Sequence, residues 1–174
     1  MKVSVFVATS LDGFIARTNG ELDWLPDDSD EDYGFQAFLD SVDALIMGRH
    51  TYEQVLRFGV WPYDETPVIV LSTGQLDIAP HLSGTVESMS ASPQEVIERL
   101  AERGAGHVYV DGGQTIQGFL AAGLVQQFTV TRVPILLGRG IPLFGALPHD
   151  VRLHHVDTRA FPDGLVQSRY KIAN

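Results

Sequence analysis

Short apolar runs alternate with amphipathic segments along most of the chain. The runs are rich in valine, isoleucine and aromatic residues, which is typical of buried strands, and they occupy residues 3–8, 44–47, 68–71 and 107–110. Segments with apolar residues at helical spacing cover residues 35–42, 49–56, 93–104 and 115–122. Ser92 and Glu95 form a capping box with proline between them, which marks the start of the third helix. Strands that alternate with helices predict a mostly parallel sheet covered on both faces.

The pattern changes in the last third of the chain. Residues 128–137 form one long apolar run, predicted as a strand, and a glycine-rich turn follows at residues 138–142. Residues 151–160 and 165–172 flank a Pro-Asp-Gly turn, which predicts a hairpin. We therefore expect antiparallel strands at one edge of the sheet.

The second predicted strand runs directly into Gly48 and Arg49, and a helix follows. A strand that ends in glycine and opens a helix leaves backbone N–H groups unpaired, which suits a phosphate. Arg49 adds a planar cation that can bind phosphate at two points, and Thr51 is predicted to cap the helix while offering a hydroxyl. The same arrangement recurs where the strand of residues 107–110 meets Gly112-Gly113. Two anion sites in one small domain predict a dinucleotide held between them.

Residues 9–24 interrupt the alternation early in the chain. They contain Asp12-Gly13 and Asn19-Gly20, pairs that favour turns because these residues tolerate positive φ and bond their own backbone. Segments longer than about 12 residues without regular structure are usually functional in compact domains. The loop is either an active-site lid or an idle surface excursion, and its length favours the lid.

Composition limits the classes of function. A chain of 174 residues with 44% hydrophobic and 20% charged residues fits one globular domain, residues 1–174. The net charge of −10 argues against nucleic acid or a membrane surface as partner, and no apolar run approaches the roughly 18–20 residues that span a bilayer. The absence of cysteine excludes thiolate chemistry and fits a cytoplasmic protein. The histidines show no metal-ligand spacing, so no metal is predicted, and Ser10 has no evident partners for a hydrolytic triad.

The order of the motifs resembles that of the dihydrofolate reductase family, and in particular the reductase half of the riboflavin-biosynthesis deaminase–reductase (RibD). The matching motifs, in chain order, are Ser10-Leu11-Asp12-Gly13, Asn19-Gly20, Gly48-Arg49-His50-Thr51, Leu71-Ser72-Thr73, Gly112-Gly113 and the stretch PILLGRGIPLF at residues 134–144. The resemblance covers essentially the whole chain. It implies an α/β, dihydrofolate reductase-like fold with a mostly parallel central sheet, flanking helices and antiparallel C-terminal strands.

The same resemblance implies NADPH as cofactor and places four groups of residues against it. The turn at Gly48, Arg49 and Thr51 would contact the diphosphate and the 2′-phosphate of the adenosine. The other groups are Leu71, Ser72 and Thr73 on the adenosine side; Gly112, Gly113, Gln114 and Thr115 at the diphosphate; and Ala8, Ile15 and Asn19 around the nicotinamide. The absence of a Rossmann G-x-G-x-x-G motif agrees with this assignment.

Two acids are candidates for roles beside the cofactor. Counted back from Gly48 without gaps, Asp32 falls where folate reductases carry the acid that binds the pterin, so the resemblance makes it the candidate catalytic residue. It belongs to a run of acids at residues 27–32 that also predicts a solvated helix start, whereas a general acid has to be partly buried for its pKa to rise. An ordered water is the alternative proton source. Asp111 would repel a phosphate at the adjacent turn, so it is predicted to cap the helix or to reach a ribose or substrate group.

The resemblance thus implies an NADPH-dependent oxidoreductase that transfers hydride to a small pyrimidine- or pterin-like substrate, as 5-amino-6-(5-phosphoribosylamino)uracil reductases do. Residues 58–67 lack the arginine that folate reductases use for the glutamate tail, and Arg57, Arg132 and Arg139 are candidates for a substrate phosphate. A non-catalytic NADPH-binding or ligand-sensing protein on the same fold is the alternative, and a pure interaction module would bind no nucleotide. Relatives of this kind also imply a homodimer, for which the apolar run at residues 128–137 is a candidate contact.

Overall fold

The computed structural model describes residues 1–26 and 31–173. Within them the elements follow the order β1 (Lys2–Ser10), β2 (Phe14–Ala16), α1 (Phe35–Leu39), β3 (Ala44–Gly48), α2 (Arg49–Leu56), β4 (Val68–Leu71), β5 (Val86–Met89), α3 (Pro93–Glu102), β6 (His107–Asp111), α4 (Gly113–Ala121), β7 (Gln127–Val133), β8 (Ile141–Pro142), β9 (Leu153–Ala160) and β10 (Val166–Ile172). A 3₁₀ turn at Pro80–Leu82 precedes β5. In this described part of the chain, no helix combines the length and the apolarity needed to cross a bilayer.

The central sheet is mixed, with the strand order β5-β4-β3-β6-β1-β7-β10-β9. Neighbouring strands from β5 to β7 pair in parallel, whereas β10 pairs antiparallel with both β7 and β9. Strands β2 and β8 form a separate two-stranded ribbon. The structure therefore confirms the predicted fold, a mostly parallel sheet with antiparallel C-terminal strands.

Each face of the sheet carries its own core. Because side chains alternate across a strand, Ile46 of β3 packs in one core with Leu100 of α3 and Phe119 of α4. Leu45, its neighbour, faces the opposite core, which contains Tyr52 of α2. The continuous apolar sequence of β3 follows from this burial on both faces.

The element boundaries depart from the sequence predictions at several points. Strand β5 was not predicted, because its polar residues Glu87 and Ser88 interrupt the apolar pattern; it forms by pairing with β4 at the sheet edge. Strand β7 ends at Val133 instead of residue 137, since Pro134 cannot donate to a ladder. Helix α1 is also shorter than predicted, and residues 27–30 of the predicted helix start lie outside the described residues.

The strands around β6 separate towards their carboxyl ends. Pairing between β1 and β6 runs only as far as Ser4 opposite Tyr109, whereas β3 stays paired with β6 as far as Met47 opposite Asp111. On its other side β1 remains paired with β7 up to Ser10. A fork therefore opens between β1 and β6 at the carboxyl edge of the sheet, which is where ligands bind in open α/β folds.

Candidate active site

A cleft of about 1300 Å³ occupies the carboxyl edge of the sheet, above the fork. Small-molecule pockets typically measure about 300–1,000 Å³, so a ligand of dinucleotide size has room here. The cleft is lined by every residue that the sequence predicted for the cofactor: Ala8, Ile15, Asn19, Gly48, Arg49, Thr51, Leu71, Ser72, Thr73, Gly112, Gly113, Gln114 and Thr115. The structure thus brings together residues that are far apart in the sequence, while their binding role stays a prediction.

Arg49 is held in place by neutral groups at the end of β4. Its Nε and Nη2 atoms donate to Ser72 Oγ at 3.0 and 2.8 Å, and Nη2 also donates to the carbonyl of Gln75. No carboxylate pairs with it among residues 1–26 and 31–173. A fixed guanidinium without a counter-charge is suited to binding an anionic ligand.

The two glycine turns fit against each other. A Cβ atom on Gly48 would lie 3.0 Å from Thr115 Oγ1, and one on Gly112 would overlap the hydroxyl of Thr51. Gly112 also has a φ of 89°, which side chains strongly disfavour. Gly48 is the N-cap residue of helix α2, and no side chain caps this helix start. The prediction that Thr51 caps the helix is therefore wrong, and the Thr51 hydroxyl faces the turn at Gly112 instead.

The predicted lid covers the second turn. Strand β2, which lies in this loop, pairs with β8. A Cβ atom on Gly113 would lie 3.0 Å from Ile15 Cδ1 of β2 and 3.2 Å from Ile141 Cγ2 of β8. The carboxylate of Asp12 ties the loop to the turn before β8, because it accepts the N–H of Leu137 at 3.1 Å and that of Gly138 at 2.7 Å. Its strongest bond, 2.6 Å from the Ser10 hydroxyl, also lowers the pKa of Asp12.

Asp32 does not lie in the cleft, and the structure does not support its predicted catalytic role. Its exposed carboxylate accepts the N–H groups of Gly34 at 2.9 Å and Gln36 at 3.1 Å, at the start of α1. These bonds hold the pKa of Asp32 below its usual value. An exposed carboxylate with a lowered pKa is a poor proton donor, and the sequence pattern could not reveal this because it does not show burial.

Asp111 is the buried acid of the cleft, which the more exposed Glu53 and Glu95 also line. It stands at the fork, enclosed on most sides by protein, and burial raises the pKa of its carboxyl group despite the hydrogen bond that it accepts from the N–H of Gly112 at 2.8 Å. Part of its surface still faces the cleft. A neutral Asp111 would not repel a phosphate, which removes the difficulty that its position presented in the sequence.

The proton of the Tyr109 hydroxyl is used away from Asp111. The Tyr109 hydroxyl donates to the carbonyl of Phe6 at 2.9 Å, across the fork where β1 has left β6. A phenol has one proton, so while that bond holds, the Tyr109 hydroxyl has none to donate to Asp111. Tyr109 and Asp111 lie on the same face of β6, two residues apart, which brings their side chains together.

Sequence reasoning missed part of the lining. Tyr63 and Phe58 come from the loop between α2 and β4, and residues 89–93 come from the end of the unpredicted strand β5. The Trp-Pro-Tyr stretch at residues 61–63 was a weak local signal, because loop aromatics are as often packing residues. Of the arginines considered for a substrate phosphate, Arg57 lines the cleft, whereas Arg132 and Arg139 do not.

Known proteins match the chain along most or all of its length. The crystal structure of a putative riboflavin biosynthesis protein from Shewanella sp. PV-4 is 39% identical in sequence and superposes with a TM-score of 0.93. The match covers 100% of each chain. The uncharacterized protein YwjB of Bacillus subtilis is 31% identical over 163 residues, which are 92% of each chain. The dihydrofolate reductase HdrB of Haloferax volcanii is 34% identical over 127 residues, 70% of this chain and 62% of its own.

The strongest assignment comes from the family comparison. The RibD C-terminal domain family matches residues 1–167, which include β1 through β9, the first two residues of β10 and every residue named in the cleft. This extent agrees with the motifs at residues 10–13, 48–51 and 112–113. The chain belongs to the RibD C-terminal domain family.

Proposed function

We propose that this protein is an NADPH-dependent reductase of a small heterocyclic substrate. The observation that carries the proposal is the Arg49 guanidinium, fixed by Ser72 and Gln75 without a counter-charge, beside two helix starts that face one cleft. Membership of a family that includes reductases supports it.

The residues present fit NADPH. Arg49, Ser72 and Thr73 would hold the adenosine phosphate, and the turn at Gly112-Gly113 would hold the diphosphate against the start of α4, where a side chain on Gly112 would leave no room. When bound, NADPH would supply the hydride that the protein itself lacks. The chain's own contribution is to bind, orient and shield the reactants.

Asp111 is the residue that we expect to handle the proton. Burial raises its pKa and so favours its neutral form, and it lines the cleft together with Ala8 and Tyr63. A carboxylic acid with a raised pKa can donate a proton at neutral pH, as reduction of a carbon–nitrogen or carbon–oxygen double bond requires. Asp111 therefore replaces Asp32 in the proposed mechanism.

The substrate side of the cleft is mostly apolar. Ala8, Leu25 and Phe58 line it, together with the single arginine Arg57. This lining suits a flat ring, and Arg57 is the described side chain outside the Arg49 site that could meet a phosphate. Suitable probes are 5-amino-6-(5-phosphoribosylamino)uracil and 7,8-dihydrofolate.

The test is a thermal-shift titration with NADPH beside NADH, followed by absorbance assays at 340 nm with both probes. NADPH should raise the unfolding midpoint by mass action and more than NADH does, because only NADPH carries the phosphate for Arg49. We expect Arg49→Ala to weaken NADPH binding about 10–100-fold, the usual cost of a charge-assisted contact of about 1.5–3 kcal/mol.

Arg103→Ala is the matched control, since Arg103 pairs with Glu87 on an exposed surface away from the cleft. A loss of affinity confined to Arg49→Ala supports the cofactor site. Absence of a shift with either nucleotide would overturn it, and binding without consumption of NADPH by any probe would favour a non-catalytic sensor.

We also propose that the protein is a homodimer that uses its C-terminal strands. All eight residues of the edge strand β9 are exposed, among them Leu153 and Val156, and an uncovered edge strand favours association. Light scattering at micromolar concentration should give twice the chain mass of 19.1 kDa; a monomer would contradict this proposal.

A further inference from the structure

The hydrogen bonds between β1 and β6 follow one rule as far as the pairing runs. Lys2 lies opposite His107, and its N–H donates at 2.8 Å to the carbonyl of Gly106, the residue before its partner. In a parallel pair, the carbonyl of the same residue accepts the N–H of the residue after its partner, and every second residue along the strand is oriented in this way. The last pair is Ser4 with Tyr109, so the rule identifies the first bond that is missing beyond it.

The first missing bond is the one that would join Phe6 to Gly112. In unbroken register Phe6 would lie opposite Asp111, and its carbonyl would accept the N–H of Gly112. Side chains of β6 take both groups instead. The Tyr109 hydroxyl donates to the Phe6 carbonyl at 2.9 Å. The N–H of Gly112 donates to Asp111 Oδ1 at 2.8 Å. Both backbone groups are thus paired, so the strands stay apart without the cost of an unsatisfied buried group.

The ring of Tyr109 is fixed by other aromatic side chains. It is 3% exposed and meets Phe38 of α1 edge-on, with the ring centroids 5.1 Å apart. Phe38 in turn stacks on Phe6 at 5.0 Å, and Phe35 packs edge-on against Phe6 at 5.6 Å. Phe6 and Tyr109 both line the cleft. This packing joins β1, β6 and α1 at the fork and holds the Tyr109 hydroxyl against the carbonyl that it bonds.

We propose that Tyr109 is a positioning residue that holds the fork open for the nicotinamide of NADPH, with Asp111 as its counterpart on the N–H of Gly112. The proposal rests on the proposed function, in which NADPH occupies the cleft. Ala8 is the next residue of β1 that faces the fork, and it lines the cleft. Without the Tyr109 hydroxyl, β1 can close onto β6 through the missing bond. A ligand would then bind only the open fraction of the molecules.

The experiment compares two ligands on one variant. NADPH carries a nicotinamide, whereas adenosine 2′,5′-bisphosphate carries only the adenosine and its phosphates and needs the site at Arg49 alone. Tyr109→Phe keeps the ring and removes the hydroxyl. Its affinity for NADPH should fall about 10-fold, the order expected for one buried hydrogen bond, while its affinity for the bisphosphate stays unchanged. Calorimetric titration measures both, and a merely structural role of Tyr109 would not separate the two ligands.

Tyr52→Phe is the matched control. It also removes one hydroxyl from a buried ring, but that hydroxyl accepts the N–H of Ala79 at 3.1 Å instead of bonding a group of the fork. Both affinities should keep their native values in this variant. A folded Tyr109→Phe protein that binds NADPH as tightly as the native protein would overturn the proposal, and so would an equal loss of affinity for the two ligands.

If Tyr109→Phe does not fold, the other side chain at the missing bond decides. Asp111→Asn keeps a side-chain oxygen for the N–H of Gly112, and Asp111→Ala removes it. The affinity for NADPH should fall in the alanine variant and not in the asparagine variant, again with the bisphosphate unaffected. Equal affinities of the two variants for NADPH would contradict the proposal.

The two levels of inference fail separately. If the native protein binds neither NADPH nor the bisphosphate, the cofactor site of the proposed function is wrong, and the role of Tyr109 falls with it. If the native protein binds both ligands and Tyr109→Phe binds both equally well, only the role of Tyr109 is wrong.

Discussion

The two ends of the central sheet treat their polar groups in opposite ways. At the amino end, Asp43 Oδ2 accepts the N–H groups of Gly106 and His107, both at 2.8 Å. His107 then bonds the Ser41 carbonyl through Nδ1 and the Ser4 hydroxyl through Nε2, again at 2.8 Å. At the carboxyl end, and within residues 1–26 and 31–173, Arg49 bonds only neutral groups and α2 and α4 start without side-chain caps.

The difference separates stabilisation from function. At the amino end, side chains already bond the free backbone groups, so no unpaired donor remains for a ligand. That end of the sheet contributes to stability. Where helix starts, a guanidinium and a buried acid stay incompletely paired, the protein carries a cost that a bound anion can offset. The following changes should therefore affect binding and activity at one end, and stability alone at the other.

The largest effect is expected from Gly112→Ala at the carboxyl end. The added methyl group overlaps the Thr51 hydroxyl and forces a side chain into a φ of 89°, so the turn shifts and NADPH affinity should fall about 100-fold or more, with about 1–3 kcal/mol of strain. Calorimetric titration with NADPH measures this.

Gly104→Ala is the matched control for that change. Gly104 has almost the same φ, 90°, but a Cβ atom there meets nothing within 4 Å. It should lower stability and leave NADPH affinity intact; equal losses of affinity in the two variants would contradict the assignment of the turn.

Asp111→Asn should separate activity from stability. Burial raises the pKa of Asp111, so its favourable state is the neutral one: stability is fully present below the unfolded pKa and is lost as pH rises through the folded pKa. The asparagine variant does not ionise. It should equal or exceed the native stability at pH 8, by on the order of 1 kcal/mol, while reduction of an active probe falls about 100-fold.

Urea unfolding at pH 5 and pH 8 checks the stability half of this prediction, and Asp77→Asn, a change at an exposed carboxylate, is the control. If the stability difference between Asp111→Asn and the native protein shrinks as pH rises, Asp111 is charged in the folded protein. The proton-donor role would then fail.

The smallest effect is expected from His107→Gln at the amino end. Burial is the main cause that lowers the pKa of His107, so the unfolded chain binds a proton more readily. Native stability should decline as pH falls below about 6.5 and through the folded pKa, by less than about 1 kcal/mol in this partly exposed site.

Glutamine removes this decline and leaves NADPH affinity unchanged, whereas His81→Gln, at an exposed histidine, should keep it. Urea unfolding between pH 7.5 and 5 is the measurement. A change in NADPH affinity would show that the two ends of the sheet are coupled.

Much of the lining of the candidate cofactor site could be predicted because its signals are local. Gly48 and Gly112 each stand between an apolar strand and a helix, and that order alone places backbone N–H groups at the carboxyl edge of a parallel sheet. The capping box at Ser92 likewise gave the start of α3 correctly. Such features depend on residues close in sequence, so the pattern of the chain is enough to find them.

The acid and its partners depend on long-range packing. Asp32 and Asp111 are the same residue type, yet one accepts two N–H groups in solvent and the other stands in a fork that exists only because β1 leaves β6 after Ser4. Strand β5, too, is a strand only beside β4. The sequence by itself determined the alternation of strands and helices and the position of the glycine turns, through hydrophobic period and backbone freedom. Only the tertiary structure decided which carboxyl group is buried, because burial depends on neighbours that the fold brings from distant parts of the chain.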